Sequence, residues 1–215
     1  MNKIKNIIFD LGGVIYDIRY ENIAEAFARH GVTDLGEFYS SSFQTSEFTR
    51  FELGLMSVPD FRNYVREATH TNLDDDAVDE IINAILIDIP FKRIELLMAL
   101  KGKYRVFLFS NTNQINYDYY TRRMWERYSI DIFKTCFDAC YFSHQIHLRK
   151  PDPEGFRLIV REQGLIPSET VFIDDIAQNL EGAQQVGLRT FHLHDTDITD
   201  LFDKNLIPVA KLRHL

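Results

Sequence analysis

Only two cysteines, Cys136 and Cys140, occur among 215 residues. Disulfides cannot staple such a chain, and the expected setting is reducing and cytoplasmic. A zinc site using these cysteines with His144 and His147 is a weaker reading than two small core residues of a strand over 137–142. Positive charge is also short: 24 Lys and Arg against 32 Asp and Glu leave a net charge of −8. That balance argues against nucleic acid and an anionic membrane surface as partners, since both favour basic patches. It excludes neither a local cationic pocket nor a small anionic ligand. No apolar run is long enough for a membrane span, and Met1–Lys5 leads into Asn6-Ile7-Ile8-Phe9-Asp10 without the features of a signal peptide. Internal repeats and low-complexity segments are missing as well. The expected state is a monomer or weak homodimer.

What is present is an ordinary globular composition, 45% hydrophobic and 26% charged. The length exceeds one minimal domain and falls short of two. Short apolar runs predict buried strands at Ile4–Phe9, Tyr104–Phe109, Phe137–Phe142, Thr170–Ile173 and Thr190–Leu193. The first four end in polar residues: Asp10, Ser110-Asn111, Ser143 and Asp174-Asp175. Helical faces lie between them, one through Ile94, Leu97 and Met98, one through Phe156, Ile159 and Val160 up to Gly164, and one through Leu180 and Ala183 before Gly187. Strand–helix alternation predicts an α/β fold, a Rossmann-like parallel sheet between helices, with ligands beyond the carboxyl ends of its strands.

One stretch breaks the alternation. From about Tyr20 to Pro90 the spacing is helical and no strand is expected: Ile23 with Phe27, then Phe61, Tyr64, Val65 and Ala68, then Val78, Ile81, Ile82 and Ile85. Asp74-Asp75-Asp76 suits a helix N-terminus. The expected organisation is an α/β core from 1–16 and 92–215, with an inserted helical bundle at 17–91.

Four clusters carry chemistry. They are Asp10-Leu11-Gly12-Gly13 with Asp17 further on, Ser110-Asn111-Thr112-Asn113, Arg149-Lys150-Pro151-Asp152, and Asp174-Asp175 with Asn179 a turn later. Each alone has a plain structural reading as a cap or a turn. Together, at successive strand ends, they make a site. Carboxylates without histidine or cysteine partners favour Mg²⁺. A lysine and a hydroxyl beside such a cation can position a phosphoryl group, and a carboxylate can act as its nucleophile.

These four clusters, in this order, resemble the haloacid dehalogenase superfamily, with the helical insert where that superfamily has its first-type cap. Phe9-Asp10-Leu11-Gly12-Gly13-Val14, Ser110-Asn111-Thr112-Asn113 and Arg149-Lys150-Pro151-Asp152 resemble most the α-D-glucose-1-phosphate phosphatase-like subgroup. The resemblance implies a Mg²⁺-dependent phosphatase of small phosphorylated metabolites, such as the sugar phosphate glucose 1-phosphate, working through an aspartyl-phosphate. It implies Asp10 as nucleophile and metal ligand, with the Gly12 carbonyl and Asp175 as further ligands and Asp174 in or next to that set. It implies that Ser110 and the Asn111 backbone hold phosphoryl oxygens and that Lys150 bridges Asp10 and the phosphoryl group. The metal would screen the repulsion between Asp10 and the phosphate.

Two positions depart from the superfamily pattern. Most of its phosphatases carry a second aspartate where this chain has Gly12, and general acid–base help is worth about 10²–10⁴-fold. Esters with a good leaving group, such as anomeric sugar phosphates, depend on it least. Asp17, or a water that it holds, is the expected substitute at the substrate. The second departure is His147, near where a small glycine often precedes Arg-Lys-Pro; it is expected to be an exposed loop residue, as are His192 and His194. Phe43, Phe48, Arg50 and Phe51 are possible contacts from the cap. Two alternatives remain at this point: a metal-independent 2-haloacid dehalogenase, disfavoured by the Asp174-Asp175 pair beside Asp10, and a catalytically degenerate binding or regulatory protein.

Overall fold

A computed structural model describes residues 3–33, 35, 46–209 and 212. Its centre is a five-stranded parallel sheet. The strands are β1 (Asn6–Phe9), β4 (Arg105–Ser110), β5 (Ala139–Phe142), β6 (Thr170–Asp174) and β7 (Arg189–His192), in the order β5-β4-β1-β6-β7. Strand β1 is central and buried along its whole length. Its register sets Phe9 beside Leu108 on one side and Ile173 on the other. One residue further on, Asp10 therefore lies next to Asp174, and Ser110 closes the end of β4.

The pleat divides the core in two. Ile7, Phe9, Leu108 and Ile173 face one layer, packed by α5 (Phe91–Lys101), α6 (Gln114–Tyr128) and α7 (Ile132–Cys136). Ile8, Phe107, Phe109 and Phe172 face the other, packed by α9 (Pro153–Gln163) and α10 (Ala177–Gln185), with Ile146 of the short α8 (Ser143–Ile146) against them. Helix α9 begins with Asp152 capping the Glu154 amide and ends at Gly164 in the left-handed region.

The insert builds a separate hydrophobic cluster. Helices α1 (Glu21–Arg29), α2 (Ser46–Glu52), α3 (Val58–Thr69) and α4 (Asp75–Asn83) bury Ile23, Phe27, Phe51, Phe61, Val65, Val78 and Ile81 against one another, and Ile115 of α6 joins them. Asp74 caps α4 through the Ala77 amide, as its acidic run predicts. No helix among the described residues is long and apolar enough to cross a membrane.

Several expectations need correction. A short strand β3 (Leu86–Asp88) lies within the stretch read as free of strands and pairs antiparallel with β2 (Asp17–Ile18). Two or three residues are too few for a period to register. Helix α4 ends at Asn83, before Ile85. Met98 is exposed, away from the face made by Ile94 and Leu97. Strand β5 starts only at Ala139, so Cys136 closes α7 and the two thiols do not share a strand. Both are free, and burial pushes both thiols up from their ordinary pKa.

Candidate active site

The loop after β1 is built around Asp10. The Leu11 amide donates to Asp10 Oδ1 at 2.7 Å. Gly13 has φ +71°, and a side chain there would run into the Asp175 carboxylate, so glycine lets the first and fourth clusters meet. At Gly12 a Cβ would lie 3.3 Å from Ile18 Cδ1. A side chain at that position would press on this methyl group, which would have to give by a few tenths of an ångström.

Lys150 is the buried centre of the site. Its side chain is 1% exposed, and Nζ lies 2.7 Å from both Asp10 Oδ1 and Asp174 Oδ2. The rings of Phe109 and Phe172 flank the ammonium at 5.7 and 5.3 Å from their centroids. Asn111 fixes the backbone: Lys150 N–H donates to Asn111 Oδ1 at 2.9 Å, and Asn111 Nδ2 donates to Lys150 O at 3.0 Å. The Lys150–Pro151 peptide is cis. Burial opposes the lysine charge, but Asp10 and Asp174 outweigh it and raise its pKa.

The two adjacent carboxylates of β6 are used differently. Asp174 is fully buried and saturated: besides Lys150, it accepts from Ile176 N at 2.8 Å and from Asn179 Nδ2 at 3.1 Å on each oxygen. Asp175 Oδ1 is buried without a hydrogen-bond partner, and the His192 ring holds its backbone carbonyl at 2.9 Å. Burial, then Asp174, push the Asp175 carboxyl up to about 6. Burial also raises Asp10 against the pull of Lys150. Carboxylate oxygens of Asp10, Asp174 and Asp175 lie within 4.8 Å of one another. One positive lysine does not balance three carboxylates, and the orphaned oxygen of Asp175 needs a partner. This all-oxygen donor set fits a hard divalent cation.

A cavity of about 620 Å³ opens above these residues. Asp10, Gly12, Ser110, Lys150 and Asp175 line its floor, and Ile23, Phe48, Glu52, Ile82 and Ile85 from the insert line it opposite. Ser110 Oγ donates only a long hydrogen bond, 3.5 Å, to Asn111 O, a weak contact that a ligand at the cavity floor can replace. Of the possible cap contacts, Phe48 lines the cavity, Phe51 is buried against Phe61 in the insert's core, and Arg50 is exposed. Phe43 lies outside the described residues.

Asp17 is not among the cavity residues. Its carboxylate accepts from Arg93 Nη1 at 2.7 Å, and the same guanidinium binds Asp197 and the Ile15 carbonyl. In this position Asp17 ties β2 to α5. Arg93 and Glu52 carried no signal in the sequence: each is one of several charged residues in its helix. Glu52 pairs with Arg149 at 2.9 Å, and its burial raises its carboxyl despite that partner. His194 is exposed beside Asp195.

Comparisons with known proteins agree with this geometry. The family profile of haloacid dehalogenase-like hydrolases matches residues 4–187. A D-ribitol-5-phosphate phosphatase of Bacteroides thetaiotaomicron is 29% identical, covering 87% of this chain and 91% of its own. A phosphorylated carbohydrates phosphatase of Thermotoga maritima is 21% identical, covering 86% and 83%. The crystal structure of a haloacid dehalogenase family enzyme from Bacteroides thetaiotaomicron, in complex with magnesium and inorganic phosphate, is 32% identical. It covers 93% of this chain and 100% of its own, with a TM-score of 0.85. The chain belongs to the haloacid dehalogenase-like hydrolase family.

Proposed function

We propose that the chain is a Mg²⁺-dependent phosphatase of small phosphorylated metabolites, with sugar and polyol phosphates as its substrates. The observation that carries this reading is the floor of the cavity. There Lys150 bridges Asp10 and Asp174 while Asp175 keeps a buried oxygen without a partner. The phosphatase names of the Bacteroides and Thermotoga relatives support it, as does the magnesium and phosphate in the similar crystal structure. A metal-independent dehalogenase has no use for three carboxylates gathered around one lysine.

In this reading Asp10, Asp175 and the Gly12 carbonyl hold Mg²⁺, with Asp174 beside them and committed to Lys150. The bound cation supplies charge neutralisation at the phosphoryl group. A carboxylate oxygen of Asp10 attacks phosphorus, the ester P–O bond breaks, and the leaving oxygen takes a proton from water. A second water then attacks phosphorus and gives up a proton to the hydroxide left by the first, as the acyl phosphate P–O bond breaks to release phosphate and restore Asp10. Ser110 Oγ and the Asn111 backbone hold phosphoryl oxygens, and Lys150 keeps its charge between Asp10 and the phosphoryl group. Residues 17–91 form the cap that covers the leaving group and excludes water.

Gly12 offers no proton, so within this class it favours sugar 1-phosphates, whose hemiacetal oxygen leaves most easily. The ribitol 5-phosphate in the name of the Bacteroides relative leaves instead as a primary alcohol. A panel of 1-phosphates and terminal phosphates with Mg²⁺ separates the two. Higher kcat/KM on the 1-phosphates supports the leaving-group account. Equal or better turnover of the terminal phosphates overturns that account and leaves the phosphatase reading standing. Hydrolysis of no phosphate ester at all overturns the phosphatase reading.

A further inference from the structure

The run that presents Lys150 touches the insert at three points. The carbonyl of Leu53 can only accept, so His147 Nδ1 donates to it, at 2.7 Å. Arg149 binds Glu52 Oε2 at 2.9 Å and Thr49 Oγ1 at 3.2 Å. Gly54, with φ +65°, lies so close to this run that a side chain there would strike the His144 carbonyl. All the partners on the insert's side belong to α2 or the turn after it. On the other side the run ends in Lys150, whose backbone Asn111 clasps and whose ammonium meets Asp10.

His147 has φ +57°. That left-handed conformation strains any residue with a Cβ and is adopted freely by glycine. Glycine would be the better backbone residue here. What histidine adds is the ring that reaches Leu53.

We propose that His147 and Arg149 form a latch between α2 and the Lys150 run, so that seating the insert and placing the Lys150 ammonium are one event. Both are positioning residues that act through Lys150. The proposal rests on the phosphatase reading only for its catalytic consequence; the mechanical coupling stands on the contacts themselves. Glu52 and Arg149 also line the cavity and can meet a ligand there. His147 is not among the cavity residues, so it isolates the latch.

The test compares wild type, His147→Gly and Glu52→Gln by thermal melting, amide exchange and steady-state hydrolysis of p-nitrophenyl phosphate with Mg²⁺. His147→Gly is expected to melt at or above the wild-type temperature, because the strained backbone is relieved. It should nevertheless speed exchange across 46–54 and at the Lys150 amide. It should lower kcat about tenfold with KM changed less than about threefold, in line with the cost of small misplacements near reacting groups. Glu52→Gln should speed exchange at the Lys150 amide from the other side of the latch. Wild-type exchange in His147→Gly overturns the latch. Faster exchange at 46–54 alone, with the Lys150 amide and kcat unchanged, overturns the coupling. If the wild-type protein hydrolyses no phosphate ester, the functional reading fails, and exchange at the Lys150 amide in the two variants decides the latch without it.

Discussion

At the scale of single residues, the adjacent Asp174 and Asp175 are chemically alike and physically different. Asp174 has its oxygens committed to Lys150, Asn179 and a backbone amide, whereas Asp175 has a buried oxygen with none. Replacing Asp175 with Asn should therefore weaken the response to Mg²⁺. The concentration giving half-maximal activity should rise at least about tenfold, and the rise in melting temperature on adding Mg²⁺ should shrink. An unchanged Mg²⁺ response in both measurements would place the cation elsewhere. Lys150→Met should leave two buried carboxylates without their counter-ion. Breaking such a pair from one side costs about 3–5 kcal/mol, which denaturant unfolding of the metal-free protein will read; a change below about 1 kcal/mol contradicts the bridging role. Both aspartates and the lysine stood out in the sequence because the aspartates end an apolar strand run and the lysine stands directly before a proline. The division of labour within the pair was not, since it depends on which oxygens the loop from Ile176 to Asn179 reaches.

At the scale of elements, the insert meets the core through the β2–β3 ribbon, the Arg93 hub, the α2 contacts and α4 against α6, where Asn116 Nδ2 donates to Ile82 O and Asn83 Oδ1. Asp17 and Asp197 converge on Arg93, and Lys92 also reaches Asp197. Although burial pushes the other way, the Thr199 backbone amide and the two cations hold the Asp197 carboxyl below its ordinary 3.8. A lowered carboxyl contributes stability above the unfolded pKa of about 4, and that contribution is lost as pH falls toward the folded value. Asp197→Asn should thus be less stable than wild type at pH 7, with the gap narrowing below about pH 4. A gap that widens on acidification would contradict the assignment. The helices themselves were readable: Ile23 with Phe27 and Val78 with Ile81 announced α1 and α4, and Asp74 its cap. The ribbon was not, because two or three residues carry no periodicity. Arg93 and the Glu52–Arg149 pair were hidden too, since nothing local in a sequence joins charges from distant elements.

At the scale of the whole molecule, an overall charge of −8 coexists with a site for an anion because the charge that a ligand meets is set locally. Three carboxylates gather at one end of a parallel sheet, where Lys150 and a divalent cation reverse the sign that a phosphate meets. The sheet was legible from four apolar runs ending in polar residues, and its β1 register does the rest by setting Asp10 against Asp174. The unusual feature is Gly12, packed against Ile18; in the proposed reaction the leaving group takes its proton from water. The central claim is that this floor hydrolyses phosphate esters through Asp10, and one measurement addresses it most directly. Release of phosphate from p-nitrophenyl phosphate is followed with and without Mg²⁺ for wild type and Asp10→Asn. The account predicts hydrolysis that requires Mg²⁺ in the wild-type protein and falls to background in the variant. Hydrolysis that survives in Asp10→Asn would contradict it.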